Sequence, residues 1–91
     1  MDKKDIFIPY FSECFSKVLK RLKKKDKEMF QRVSENILKI VNNPLCGKPL
    51  RNVLKNYRRI HIGSFVLVYE ILETEIRFLD FAHHDKVYKK Q

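Results

Sequence analysis

The sequence predicts an α+β protein: a helical hairpin packed on one face of a small, mainly antiparallel four-stranded sheet, in one domain spanning residues 1–91. Three observations lead there. Between Phe11 and Val41 apolar residues recur at three- and four-residue spacing, the period of a helix buried along one stripe. From Tyr57 to Phe81 the chain is instead rich in β-branched and aromatic residues, in runs of strand length. A chain of 91 residues buries only about 60–65% of its unfolded surface, which allows one core between one helical layer and one sheet.

The first element is a short apolar run, Asp5-Ile6-Phe7-Ile8-Pro9-Tyr10. Proline cannot donate to a ladder, so an edge strand ending near Pro9 is expected. Ser12 is positioned to cap a first helix, with Phe11, Phe15, Val18, Leu19 and Leu22 along its apolar stripe. Lys17, Lys20, Arg21 and Lys24 fall on the opposite side, either as a solvated face or facing phosphates. Asp26 interrupts the lysine run 23–27 and can cap a second helix, where its charge suits the positive end. Phe30, Val33, Ile37, Ile40 and Val41 form that helix's stripe, and Asn42-Asn43-Pro44 stops it because the residue before proline disfavours helical backbone.

Residues 45–56 are expected to form a connecting loop carrying Lys48, Arg51 and Lys55. Long loops in small domains are more often functional than idle, which marks these cations as candidates for gripping a polyanion. Three strands should follow, over Tyr57–Ile62, Phe65–Leu72 and Ile76–Phe81. Gly63-Ser64 and Glu73-Thr74 are short enough to join them as hairpins.

Composition narrows the partner. Twenty Lys and Arg against eleven Asp and Glu give a net charge of +9, an attractive field for nucleic acid, an anionic membrane surface or an acidic protein. Cys14 and Cys46 have no CxxC spacing and read as reduced thiols. The charged N-terminus precedes no signal-like run, and the apolar run Phe65–Tyr69 breaks at Glu70, so neither a secretory signal nor a membrane span is expected. A cytoplasmic location follows.

Chemistry concentrates in the last third. On an extended strand Tyr57, Arg59 and His61 share one face while Ile60 and Ile62 share the other. Arg59 and His61 then stand about 7 Å apart along the strand, suited to one phosphodiester or to an ordinary solvent-facing edge. The tail His83-His84-Asp85-Lys86-Val87-Tyr88 adds two imidazoles, a carboxylate and a phenol. Imidazole can act as acid or base at neutral pH, as RNA transphosphorylation requires at its 2'-hydroxyl and its leaving 5'-oxygen. His61, His83, His84, Asp80, Asp85 and Cys46 are legitimate ligands for zinc or a similar ion, but their spacing fits no standard finger and neighbours such as His83 and His84 diverge on an extended chain, so no metal site is expected. A histidine pair that merely caps the sheet is the remaining alternative.

The order of these pieces resembles the RelE/ParE toxin superfamily over nearly the whole chain. The resemblance rests on the strand and helical hairpin, Lys48-Pro49-Leu50-Arg51, Tyr57-Arg58-Arg59-Ile60-His61-Ile62-Gly63, Val68-Tyr69-Glu70-Ile71 and the tail His83 to Tyr88. It implies a toxin neutralised by a small acidic, RelB-like antitoxin, and for the RelE branch an endoribonuclease that cuts mRNA on the ribosome without metal or other cofactor. Arg59, His61, His84 and Tyr88 match the family's catalytic positions; Lys48, Arg51, Lys55, Lys86, Lys89 and Lys90 would bind RNA, with His83 and Asp85 as accessory groups. His61 and His84 replace cations, a feature of the YafQ-like branch, whose aspartate near Ser64 is missing here. Val66 stands where many RelE members carry a phosphate-binding arginine. The alternative is a ParE-like, non-enzymatic inhibitor of DNA gyrase or topoisomerase; a stand-alone RNA-binding module fits less well, since most phenylalanines belong to core stripes.

Overall fold

A computed structural model describes residues 6–50 and 56–89. Strand β1 (Ile8–Phe11) leads into helix α1 (Glu13–Lys25) and helix α2 (Lys27–Asn42). A 3-10 turn (Pro44–Cys46) and strand β2 (Lys48–Pro49) follow, then strands β3 (Tyr57–Ile62), β4 (Phe65–Leu72) and β5 (Glu75–His83), and a terminal helix α3 (His84–Lys89). The sheet order is β1-β5-β4-β3-β2. All neighbours are antiparallel except β1, which runs parallel to β5.

The helix boundaries fall where local chemistry puts them. The Ser12 hydroxyl oxygen accepts the Phe15 amide at 3.0 Å and donates to the Leu79 carbonyl at 2.9 Å, so one side chain caps α1 and ties it to β5. Asp26 accepts the Met29 amide at 3.1 Å and starts α2. Three lysines close α1 and a glutamate opens each of the two long helices, the arrangement that complements the helix dipole.

Two expectations need correction. The sheet has five strands, because Lys48–Pro49 leaves the expected loop to pair with Arg58–Arg59. The first strand begins at Ile8 and runs through Pro9 to Phe11, so Phe11 belongs to it and not to α1. Pro9 is tolerated because the Ile8 amide donates to Thr74 and the Ser12 amide to Phe78, which leaves the intervening Pro9 nitrogen on the outer edge. Asp5 lies outside the described residues.

The core sits between the helical hairpin and one sheet face. Phe15, Val33 and Ile40 from the helices meet Ile62, Leu67, Tyr69, Ile76, Phe78 and Phe81 from the sheet. Phe15 stacks on Phe78 with ring centroids 5.7 Å apart, and Phe11 meets Phe78 edge-on at 5.5 Å. Opposite side chains of β3 and β4 supply a second, smaller cluster, in which Val66 and Val68 pack with Leu50, Tyr57, Leu79 and Ala82. A bulge at Val68/Tyr69 keeps both faces in register with β5. Phe78, wholly buried among these rings, is expected to lose about 3–5 kcal/mol on replacement by Ala, measurable by urea denaturation.

Candidate functional site

The candidate site is held together by the turn that precedes β2. The Tyr69 hydroxyl, reaching from β4, donates to the Pro44 carbonyl at 2.6 Å and accepts the Gly47 amide at 3.0 Å. Arg58 donates to the Gly47 carbonyl at 2.6 Å from the neighbouring strand. A methyl group at position 47 would lie 2.6 Å from the Tyr69 hydroxyl oxygen and 2.9 Å from the Arg59 carbonyl, so only glycine fits this approach. Burial pushes the Tyr69 phenol up to about 12, against the opposing pull of the Gly47 hydrogen bond.

With the turn fixed, Lys48 stands directly across from Arg59. Arg59 donates to the Pro49 carbonyl at 3.4 Å, which steadies β2 against β3. A depression of about 250 Å³ opens where β2 begins, lined by Lys39, Cys46, Lys48, Arg59, Ile60 and His61. Three cations and an imidazole therefore border one solvent-open hollow, an arrangement that attracts a phosphodiester. Lys39 was not among the sequence candidates. It sits on the last turn of α2, and only the packing of that helix end on β3 shows that it belongs here.

The second group lies at the end of β5. His83 and His84 stack with ring centroids 4.5 Å apart, contrary to the divergence expected of an extended chain. The cause is local: His83 ends the strand and His84 begins α3, so the strand's alternation stops between them. The His84 amide donates to the Ser64 carbonyl at 3.0 Å, and Phe65 meets the His83 ring edge-on at 5.7 Å. Asp85 faces both rings, 3.2 Å from His84 Nδ1 and 3.8 Å from His83 Nδ1.

The two groups are close but not in contact. His61 pairs with Val66, which pairs with Ala82, so β4 separates His61 from the strand that leads to His84. Two strand spacings amount to about 10 Å of main-chain separation. Lys86 is exposed on α3, and the backbone of Tyr88 and Lys89 continues that helix. The side chains of Tyr88 and Lys89, and the residues Arg51, Lys55 and Lys90, lie outside the described residues. Val66, at the position of the missing arginine, is fully buried in the second apolar cluster.

A hairpin of helices on a mainly antiparallel sheet, with a basic rim and terminal histidines, defines a RelE-like toxin fold. The same fold occurs in YafQ from E. coli strain BL21(DE3), with a TM-score of 0.72, 24% identity, and coverage of 90% of this chain and 98% of that one. The Staphylococcus aureus YoeB dimer gives a TM-score of 0.76 at 22% identity, covering 87% and 98%. The RelBE2 toxin–antitoxin complex of Mycobacterium tuberculosis gives 0.70 at 25%, covering 85% and 96%. Among sequences, a Methanocaldococcus jannaschii protein that carries the toxin name RelE4 is 40% identical over 78 residues, 82% of this chain and 83% of that protein. The chain belongs to the RelE/ParE superfamily, in the family described as the ParE toxin of the type II toxin–antitoxin system parDE, whose model matches residues 10–88.

Two variants test the anchoring turn. Tyr69→Phe should cost about 1–3 kcal/mol, because the Pro44 carbonyl and the Gly47 amide lose a buried partner. Gly47→Ala should cost a similar amount, about 1–3 kcal/mol, by overpacking. The phenol also carries a pH signature. Its proton is held more tightly in the folded chain, so its contribution is complete below the ordinary value of 10.0 and is lost as pH rises toward about 12. The gap in stability between the parent and Tyr69→Phe should therefore shrink by about 1–2 kcal/mol over that interval, read from paired denaturation curves.

Proposed function

We propose that this chain is the toxin of a type II toxin–antitoxin pair and an endoribonuclease that cleaves mRNA, in the cytoplasm and in association with the ribosome. The observation that carries the reading is the gathering of Lys39, Lys48, Arg59 and His61 around one hollow, with the imidazoles of His83 and His84 on the far side of β4. Cations hold the phosphodiester, and imidazoles exchange protons with the atoms on either side of it.

In the proposed reaction the RNA 2'-hydroxyl attacks the adjacent phosphorus. One imidazole, His84 or His61, takes the hydroxyl proton. The bond from phosphorus to the 5'-oxygen breaks, and that oxygen takes a proton from the other imidazole or from Tyr88. The products are a 2',3'-cyclic phosphate and a 5'-hydroxyl. Arg59 and Lys48 offset the extra negative charge of the pentavalent phosphorus, while Arg51, Lys55, Lys86, Lys89 and Lys90 grip RNA or ribosome. This scheme uses side chains alone and calls on no metal or other cofactor. The solved RelBE2 and DinJ–YafQ structures are toxin–antitoxin complexes, and the net charge of +9 on this chain fits an acidic antitoxin of the RelB kind.

A second reading has its own support. The matching family model bears the ParE name, and β4 separates the strand that carries His61 from the strand that leads to His84. Both features suit a non-enzymatic inhibitor that binds DNA gyrase or topoisomerase. The two readings separate in one experiment, in which purified protein is added to a translation extract and to naked mRNA and new 5' ends are mapped. Cuts are expected, at least with ribosomes present, and the His61→Ala/His84→Ala chain should lose activity by about a hundredfold or more while keeping its circular dichroism spectrum. Cleavage by that double variant at the parental rate would remove the histidines from the mechanism. Absence of cuts in both mixtures, with inhibition of gyrase supercoiling, would establish the second reading.

A further inference from the structure

Imidazole nitrogens and carboxylate oxygens bind zinc-class ions at about 2.0–2.2 Å, which around a tetrahedral ion places donor atoms roughly 3.3–3.6 Å from one another. The junction of β5 and α3 gathers three such donors within reach of one ion. His83, His84 and Asp85 each offer one ligand atom, and all three lie within 4.8 Å of one another. His84 Nδ1 is 3.2 Å from one Asp85 oxygen, and His83 Nδ1 is 3.8 Å from the other. The His84–Asp85 distance is already close to the tetrahedral value, and modest side-chain rotations bring the remaining donor pairs, all within 4.8 Å, toward it.

The donors are held in place by Phe65 and Ser64 from outside the cluster and by contacts within it. The His83 ring packs on the edge of Phe65 and on the face of His84. The main chain of His84 is pinned to Ser64. The Asp85 amide donates to His83 Nδ1 at 3.2 Å, so that nitrogen carries the lone pair and exchanges one hydrogen bond for a coordinate bond. Side-chain exposures of 43%, 44% and 66% leave the cluster open to ions from solution.

We propose that His83, His84 and Asp85 form a binding site for a zinc-class divalent transition ion, with water in the remaining coordination positions. Two imidazoles beside one carboxylate select such an ion over magnesium or calcium, which favour oxygen donors. Since the imidazoles must be unprotonated to bind, affinity falls as the solution is acidified. A bound ion would also withdraw His84 from proton transfer and silence cleavage. That consequence rests on the nuclease reading; the binding does not.

The test is a calorimetric titration of the whole chain with zinc chloride at neutral pH, with magnesium chloride in parallel. One zinc ion per chain and no response to magnesium are expected. His83→Ala and Asp85→Asn should each weaken binding by about tenfold or more, and Cys14→Ser and Cys46→Ser should leave it unchanged. Asp85→Asn preserves shape and decides the matter should His83→Ala fail to fold. No zinc binding by the parent, or parental affinity in the correctly folded Asp85→Asn chain, would overturn the proposal. Zinc bound with parental cleavage retained would count against the role of His84 in the nuclease and not against the site.

Discussion

One buried hydroxyl decides where the cationic rim of the candidate site stands. Tyr69 lies on the central strand β4, wholly enclosed, and its oxygen is shared between the Pro44 carbonyl and the Gly47 amide. Those two bonds, with Arg58 on the Gly47 carbonyl, turn the chain leaving α2 so that Lys48 arrives opposite Arg59. The phenol satisfies main-chain groups that a turn without ladder partners would otherwise bury unpaired. Packing and site are thus coupled through a single side chain: the ring belongs to the core, and the hydroxyl positions the cations.

What could be read from the sequence was what neighbouring residues decide among themselves. Ser12, Asp26 and Pro44 mark helix limits through contacts within a few residues, and they fall where expected. The three long strands likewise follow from their own composition. Strand β2 was illegible because two residues carry no periodicity, and its existence depends on Arg58, Arg59 and Tyr69 elsewhere in the chain. Lys39 looked like any lysine on a helix and gains its place only through the approach of α2 to β3. At His83 and His84 strand alternation predicts divergence, but the strand ends at His83. The change to helix at His84 turns two diverging side chains into a stacked pair.

Val66 stands where the family resemblance leads an arginine to be expected, and its surroundings suit the valine. The residue is sealed beneath Leu50, Tyr57, Leu79 and Ala82, a setting that would penalise a guanidinium unless the cluster opened. Positive charge is accordingly carried at the border of the sheet, by Lys39, Lys48 and Arg59.

The pairing of the first strand with the last has a consequence for how the protein is made. Strand β1 pairs within the sheet only with β5, and the Ser12 hydroxyl that caps α1 finds its acceptor 67 positions later, at Leu79. During synthesis the helical hairpin emerges long before the sheet it must cover, and contacts so distant in sequence form slowly and late. A nascent copy therefore lacks its closed core until β5 has been made, which gives the producing cell an interval in which the helices are present without the sheet that covers them.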